Sequence, residues 1–232
     1  MKTLGIVGGI APPSTIDYYR ELTSRYRQRS PDGRYPSILI NSIDGIAFLA
    51  LIAAGEPQPL IEHLSAAVEH LADGGADVAL FASNTAHLVF DEVAAQSPIP
   101  LISIVEETSK AAVDQRLQKV GLIGARFTME RGFYQAVFKR AGISVVVPDE
   151  LDREYVHERY FAELVEGLFL PETRKGIAAV VDRMRTGDQI QAVVLAGTEL
   201  PLLFRGTSAM TVPVLDASAI HVDSAVDALL TT

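Results

Sequence analysis

The chain contains no cysteine. That excludes disulfides, thiolate metal ligands and any mechanism built on a nucleophilic or proton-carrying thiol. Long apolar runs are missing too: none approaches the roughly 20 residues a membrane helix needs. Positive charge is scarce. Over 232 residues the net charge is −9, which argues against a nucleic-acid partner. The densest basic cluster, Arg20 to Arg29, is spread along a helical pattern and reads as a solvated face. There is neither a GxGxxG fingerprint nor a GxxxxGK[ST] loop, so no nucleotide cofactor is expected. Lys2 runs directly into a strand and a glycine turn, which is not a signal-peptide pattern, and the expected location is the cytoplasm.

What is present is globular. Hydrophobic residues make up 48% of the chain and charged residues 21%. That balance supports a sizeable core. Apolar strands alternate with amphipathic helices and short loops, the pattern of parallel sheets buried on both faces. Thr3 to Val7 is a strand, followed by the turn Gly8-Gly9-Ile10 and a helix that places Ile16, Tyr19, Leu22 and Tyr26 on one side. Ser37 to Ser42 is a second strand, ending near Asp44. Pro59 to Ala72 carries Leu60, Ile61, Leu64, Val68 and Leu71 on a core-facing stripe. The second half holds strands at Lys119 to Gly124 and Ser144 to Val147, and helices at Leu151 to Leu168 and Pro171 to Met184. Glu158, Arg159 and Tyr160 stand among their polar positions. The final helix, Ala217 to Leu230, is expected to pack back on the first half.

One stretch organises the rest. Ala76 to Leu80 is an apolar run that ends in Phe81-Ala82-Ser83-Asn84-Thr85-Ala86-His87, where a helical pattern begins. Ligands of open parallel sheets sit at the carboxyl ends of strands, and helix starts present unpaired N–H groups there. Ser83, Asn84 and Thr85 are thus candidates for chemistry or for holding an anion; Ser, Asn and Thr are equally the preferred N-caps. A second stretch has the same outline: Ala192 to Ala196, then Gly197-Thr198-Glu199-Leu200. Lys2 to Gly8 likewise echoes Lys119 to Gly124, and Ile99 to Ile102 echoes Val212 to Leu215. Three repeats in register argue for a duplicated α/β unit. The expected architecture is α/β, with two pseudo-symmetric, doubly wound parallel-sheet sub-domains and the site in the cleft between them. Residues 1–103 plus 215–232 form the first and 104–214 the second. Ser83 and Gly197 are expected on opposite sides of that cleft.

At these motifs the chain resembles the aspartate/glutamate racemase family, which works without pyridoxal phosphate. The resemblance covers nearly the whole chain. It rests on Gly8-Gly9-Ile10-Ala11-Pro12, Asn84-Thr85-Ala86-His87, Glu106-Glu107-Thr108, Gly124 to Thr128, Thr198-Glu199-Leu200-Pro201 and Asp216 to His221. It implies an isomerase of amino-acid metabolism, with no metal and no organic cofactor, often assembled as a homodimer. The partner it implies is a small amino acid or dicarboxylate. Members remove an α-proton with one residue and return it from the opposite face with another, commonly two cysteines.

Here the matching positions are Ser83 and Gly197, so a two-thiol mechanism is impossible. Serine accepts a proton poorly unless a base activates it, and glycine offers no side chain. Glu199, Glu107 and His87 are the candidate replacement bases. A dipole-stabilised Glu199 and a structural His87 are the competing readings. Gly9, Ile10, Asn84, Thr85, Thr128 and Thr198 are the candidate substrate-binding residues, and a bare Gly197 is expected to open space and expose N–H donors. Basic residues that grip substrate carboxylates in some relatives align near Ala47 and Val165, both apolar here, which leaves Arg126 as a substitute grip. Two further readings stay open: a one-base lyase or decarboxylase of the same superfamily, and a non-catalytic binder of small acids.

Overall fold

The structure is a computed structural model that describes residues 1–231; Thr232, the last residue of the expected first sub-domain, lies outside the described residues. The chain divides into two compact units, residues 1–104 with 221–232, and residues 105–220.

The first unit is built on a parallel four-stranded sheet. Its strands are β1 (Thr3–Gly8), β2 (Ser37–Ser42), β3 (Val78–Phe81) and β4 (Leu101–Ile102), in the order β2-β1-β3-β4. Parallel pairing requires a crossover between strands. Helices α1 (Pro12–Arg29), α2 (Gly45–Ala54), α3 (Pro57–Asp73) and α4 (Phe90–Gln96) supply the crossovers, α4 preceded by a 3₁₀ turn at Thr85–Val89. Val7 stands beside Phe81 in the register, so the β1 and β3 turns open side by side.

One sheet face is covered by α1 and by the end of the last helix: Leu4, Ile6, Val78 and Leu80 pack with Tyr18, Leu22, Val222, Val226 and Leu229. The expected return of the C-terminal helix to the first half is therefore observed. The α3 stripe is buried as the sequence indicates. The face of α1 is as expected at Leu22 and Tyr26 but not in the first half of the helix. Its buried positions are Ser14, Tyr18, Leu22 and Tyr26, a clean four-residue repeat, while Ile16 is 67% and Tyr19 50% exposed.

The second unit repeats the plan. Strands β5 (Lys119–Gly124), β6 (Ser144–Val146), β7 (Ala192–Ala196) and β8 (Val214–Asp216) form a parallel sheet of order β6-β5-β7-β8. Around it run α5 (Ile104–Asp114), α6 (Arg126–Glu130), α7 (Phe133–Arg140), α8 (Glu150–Arg159), α9 (Pro171–Gly187), α10 (Leu200–Phe204) and α11 (Ala217–Leu230), which leads back into the first unit. Each strand has its counterpart in the first sheet, and β3 and β7 occupy the same place. Helices lie between the strands of both sheets. The segment read as one helix over Leu151 to Leu168 breaks after Arg159 into a π-helical turn, Tyr160–Leu164. There the Val165 amide bonds the Tyr160 carbonyl, five residues back, at 3.0 Å.

Candidate functional site

In the first unit, the candidate residues lie at the carboxyl ends of β1 and β3. Gly9 has φ +86°, and a β-carbon there would stand 2.2 Å from the Ile43 carbonyl oxygen. Its N–H donates to Thr15 Oγ1 at 2.9 Å. The glycine turn is thus packed on the loop after β2, and the Ile10 carbonyl oxygen abuts Gly45 in the same contact. Asp44, at that strand end, caps α2: its carboxylate accepts from Ile46 N–H at 2.8 Å and Ala47 N–H at 3.2 Å.

Ser83 and Asn84 are buried and Thr85 is partly so. No side-chain cap forms at Asn84. His87 is the clamp of the turn. The Ile104 N–H donates to its Nε2 at 3.1 Å, so the ring proton sits on Nδ1 and donates to the Ser83 carbonyl at 3.0 Å. Burial, and then His221, push its pKa down to about 3. The ring also stacks on Phe90, with centroids 4.8 Å apart. His221 is fixed in the opposite tautomer: Nε2–H donates to the Ile102 carbonyl at 2.9 Å, leaving Nδ1 to accept from the Tyr18 hydroxyl at 3.0 Å. His87 is neutral with both nitrogens engaged, so it holds Ser83's backbone and does not activate its hydroxyl.

The second unit's candidates cluster at the ends of β5 and β7, where Gly124 pairs with Ala196. Glu199 is wholly buried. It accepts from Thr198 Oγ1 at 3.0 Å and from the Tyr160 hydroxyl. Burial and then the Glu199 charge hold the Tyr160 phenol well above its usual pKa, so it keeps its proton and donates it. The space at Gly197 is not open as expected: a β-carbon there would stand 2.5 Å from Tyr160 Cε2 and 3.0 Å from the phenol oxygen. The phenol occupies the volume into which a side chain at 197 would project. Thr128 is fully buried, and its hydroxyl has no protein partner.

Two other candidates are committed elsewhere. Glu107 pairs with Lys110 at 2.5 Å on α5. Arg126 pairs with Glu154 and lies 3.6 Å from Glu130. Its backbone N–H donates to His157 Nδ1 at 3.3 Å. A cavity of about 410 Å³ opens beside the ends of β7 and β8; Leu195, Phe204, Arg205 and Asp216 are among its lining residues, and the candidate site residues are not. Among the described residues, no group of three or more His, Asp or Glu is placed to hold a metal ion. Tyr160, packed on Gly197 and bonded to Glu199, is the neighbour of the candidate residues that sequence reading missed. A π turn leaves no trace in a helical periodicity. The available signal was the pairing of a glycine with a nearby buried glutamate, a gap that another side chain has to fill.

Comparison with known proteins places this geometry. The chain aligns at full length on both sides with a putative Asp/Glu racemase from Yersinia pestis, at 33% identity and a TM-score of 0.90. An aspartate racemase homologue from Pyrococcus horikoshii OT3 also aligns at full length, at 30% identity and 0.86. The broad specificity amino-acid racemase RacX of Bacillus subtilis (strain 168) is 29% identical over 149 residues, 63% of this chain and 64% of that protein. The chain thus spans less than two thirds of that relative's length. Residues 7–225 match the model of one family, described as Asp/Glu/Hydantoin racemase, and the chain belongs to it.

Proposed function

We propose that the protein is a racemase-like enzyme that works without an organic cofactor or metal, acting at the α-carbon of an amino or dicarboxylic acid. Ser83 and Gly197 stand where family members carry cysteines. The observation that carries the reading is the end of β7. There a buried carboxylate, Glu199, is hydrogen-bonded to a phenol that fills the space of the absent side chain. A buried carboxylate with a proton-carrying neighbour is the kind of group that general acid–base chemistry uses. The unpartnered Thr128 hydroxyl and the polar Ser83-Asn84-Thr85 end of β3 support substrate binding. The racemases among the relatives support the substrate class.

A one-sided reaction, exchange or loss of CO₂ at the α-carbon, is the second reading. His87 favours it, because its engaged nitrogens keep it from serving Ser83 as a base. We further propose a cytoplasmic homodimer, supported by the exposed Ile16 and Tyr19 on α1 and by the family. No helix among the described residues is long and apolar enough to cross a membrane.

The test is incubation in D₂O with D- and L-amino acids and dicarboxylic acids, followed by proton NMR and circular dichroism. Loss of the α-proton signal, with or without inversion, supports the reading. Binding shifts with no exchange and no CO₂ point to a non-catalytic binder and overturn it.

A further inference from the structure

The geometry points to Tyr160 as the catalytic acid–base that stands in for the missing side chain at position 197, with Glu199 as the residue that takes and returns its proton. The inference rests on the reading of the protein as an enzyme acting at an α-carbon, and it assigns that chemistry to a pair of residues.

Four observations converge. The ring fills the volume of a side chain at 197, 2.5 Å from the ideal β-carbon position. Its hydroxyl is bonded to Glu199, itself fully buried and bonded to Thr198. Tyr160 opens a π-helical turn at the end of α8; such turns recur at functional sites, where the extra residue re-aims a side chain. The cluster lies at the carboxyl end of β7, which holds the same place in its sheet as β3, and such ends are where open parallel sheets bind ligands. The phenol carries its oxygen onto a carboxylate that has been taken out of water, and such a carboxylate is costly to bury without hydrogen-bond partners.

The proton accounting closes within the pair. Tyr160 Oη takes the substrate's α-proton as its own hydroxyl proton passes to a Glu199 carboxylate oxygen. The C–H electron pair stays on carbon, delocalised into the adjacent carboxylate. Reversal returns a proton from Tyr160 to the carbon and restores the Glu199 carboxylate. In D₂O, deuterium taken up between these steps through Tyr160, the more accessible member of the pair, passes to the substrate.

The experiment compares wild type, Tyr160→Phe and Glu199→Gln in D₂O wash-in, with D- and L-aspartate and D- and L-glutamate as the first probes. Binding of the same probes is followed by NMR line broadening, and folding by circular dichroism. Tyr160→Phe keeps the ring and removes the oxygen; the exchange rate is expected to fall by about 100-fold or more while probe binding persists. Glu199→Gln keeps a hydrogen-bond acceptor but takes no proton. It is expected to lose exchange to a similar degree and to flatten the acid limb of the pH–rate profile, with partial rescue by Glu199→Asp. A merely structural pair would move stability and leave that limb in place. Wild-type exchange matched by folded Tyr160→Phe overturns the assignment alone. No exchange by wild type on the whole panel of amino and dicarboxylic acids overturns both the assignment and the enzyme reading.

Discussion

The ring of Tyr160 lies where a β-carbon at position 197 would be, 2.5 Å from its Cε2 atom. The two positions are complementary: the glycine is small because the tyrosine is there. Overpacking a buried site costs about 1–3 kcal/mol. Gly197→Ala and Gly197→Cys are therefore expected to lower Tm, by about 2–4 °C per kcal/mol for a chain of this size. Combining Gly197→Cys with Tyr160→Leu is expected to recover part of the loss, measured by thermal unfolding. A loss that does not depend on residue 160 would contradict the packing relationship.

His87 sets a pH dependence of stability. Its folded pKa is about 3 because it is buried beside His221, against about 6.5 in an unfolded chain. Above pH 6.5 both states are neutral at this residue, and it adds no pH dependence. Below pH 6.5 the unfolded chain takes up a proton that the folded state refuses, so stability falls with pH until about 3. By pH 4.5 the loss is on the order of 3 kcal/mol, at somewhat over about 1 kcal/mol per pH unit. Denaturant titrations from pH 7 to 4.5 are expected to show a shallower slope in His87→Gln than in wild type, by up to about one proton. Equal slopes would contradict the account of this histidine.

At Gly9 the backbone has φ +86°, and a methyl group would meet the Ile43 carbonyl oxygen at 2.2 Å. Gly9→Ala is expected to destabilise the protein by about 2 kcal/mol or more. Chemical denaturation measures it, and a neutral result would show that the turn relaxes.

The Asp44 carboxylate accepts two amide hydrogens at the start of α2. Asp44→Ala is expected to cost about 1 kcal/mol, the usual worth of a helix cap, with wash-in rates unchanged. A change in rate without a change in stability would move Asp44 into the site.

Much of this was legible in the chain. Strand ends such as Gly8-Gly9 and Ala196-Gly197 fall where apolar runs meet turn residues, and the repeated outlines give two sheets of one order. The α3 stripe was readable because Leu60, Leu64, Val68 and Leu71 face one way at helical spacing. The α1 face was read correctly at Leu22 and Tyr26 and misread at Ile16 and Tyr19, which are apolar yet exposed. Their neighbours Ser14 and Tyr18 take the buried face, Ser14 as a small residue and Tyr18 because its hydroxyl finds His221. Polar strand ends proved to be of two kinds, a cap at Asp44 and an uncapped turn at Asn84, and only hydrogen-bond geometry separates them. The Tyr160–Glu199 pair is 39 residues apart in sequence and depends on a π turn, which no periodicity announces.

The account's central claim is α-carbon proton exchange by a protein that has no thiol. Its most direct test is solvent-deuterium entry at the α-carbon of D- and L-amino and dicarboxylic acids in D₂O, followed by proton NMR. With Tyr160 and Glu199 carrying the proton, entry is expected, with or without inversion, and is expected to fall by about 100-fold or more in Tyr160→Phe. No entry from any amino or dicarboxylic acid would contradict it.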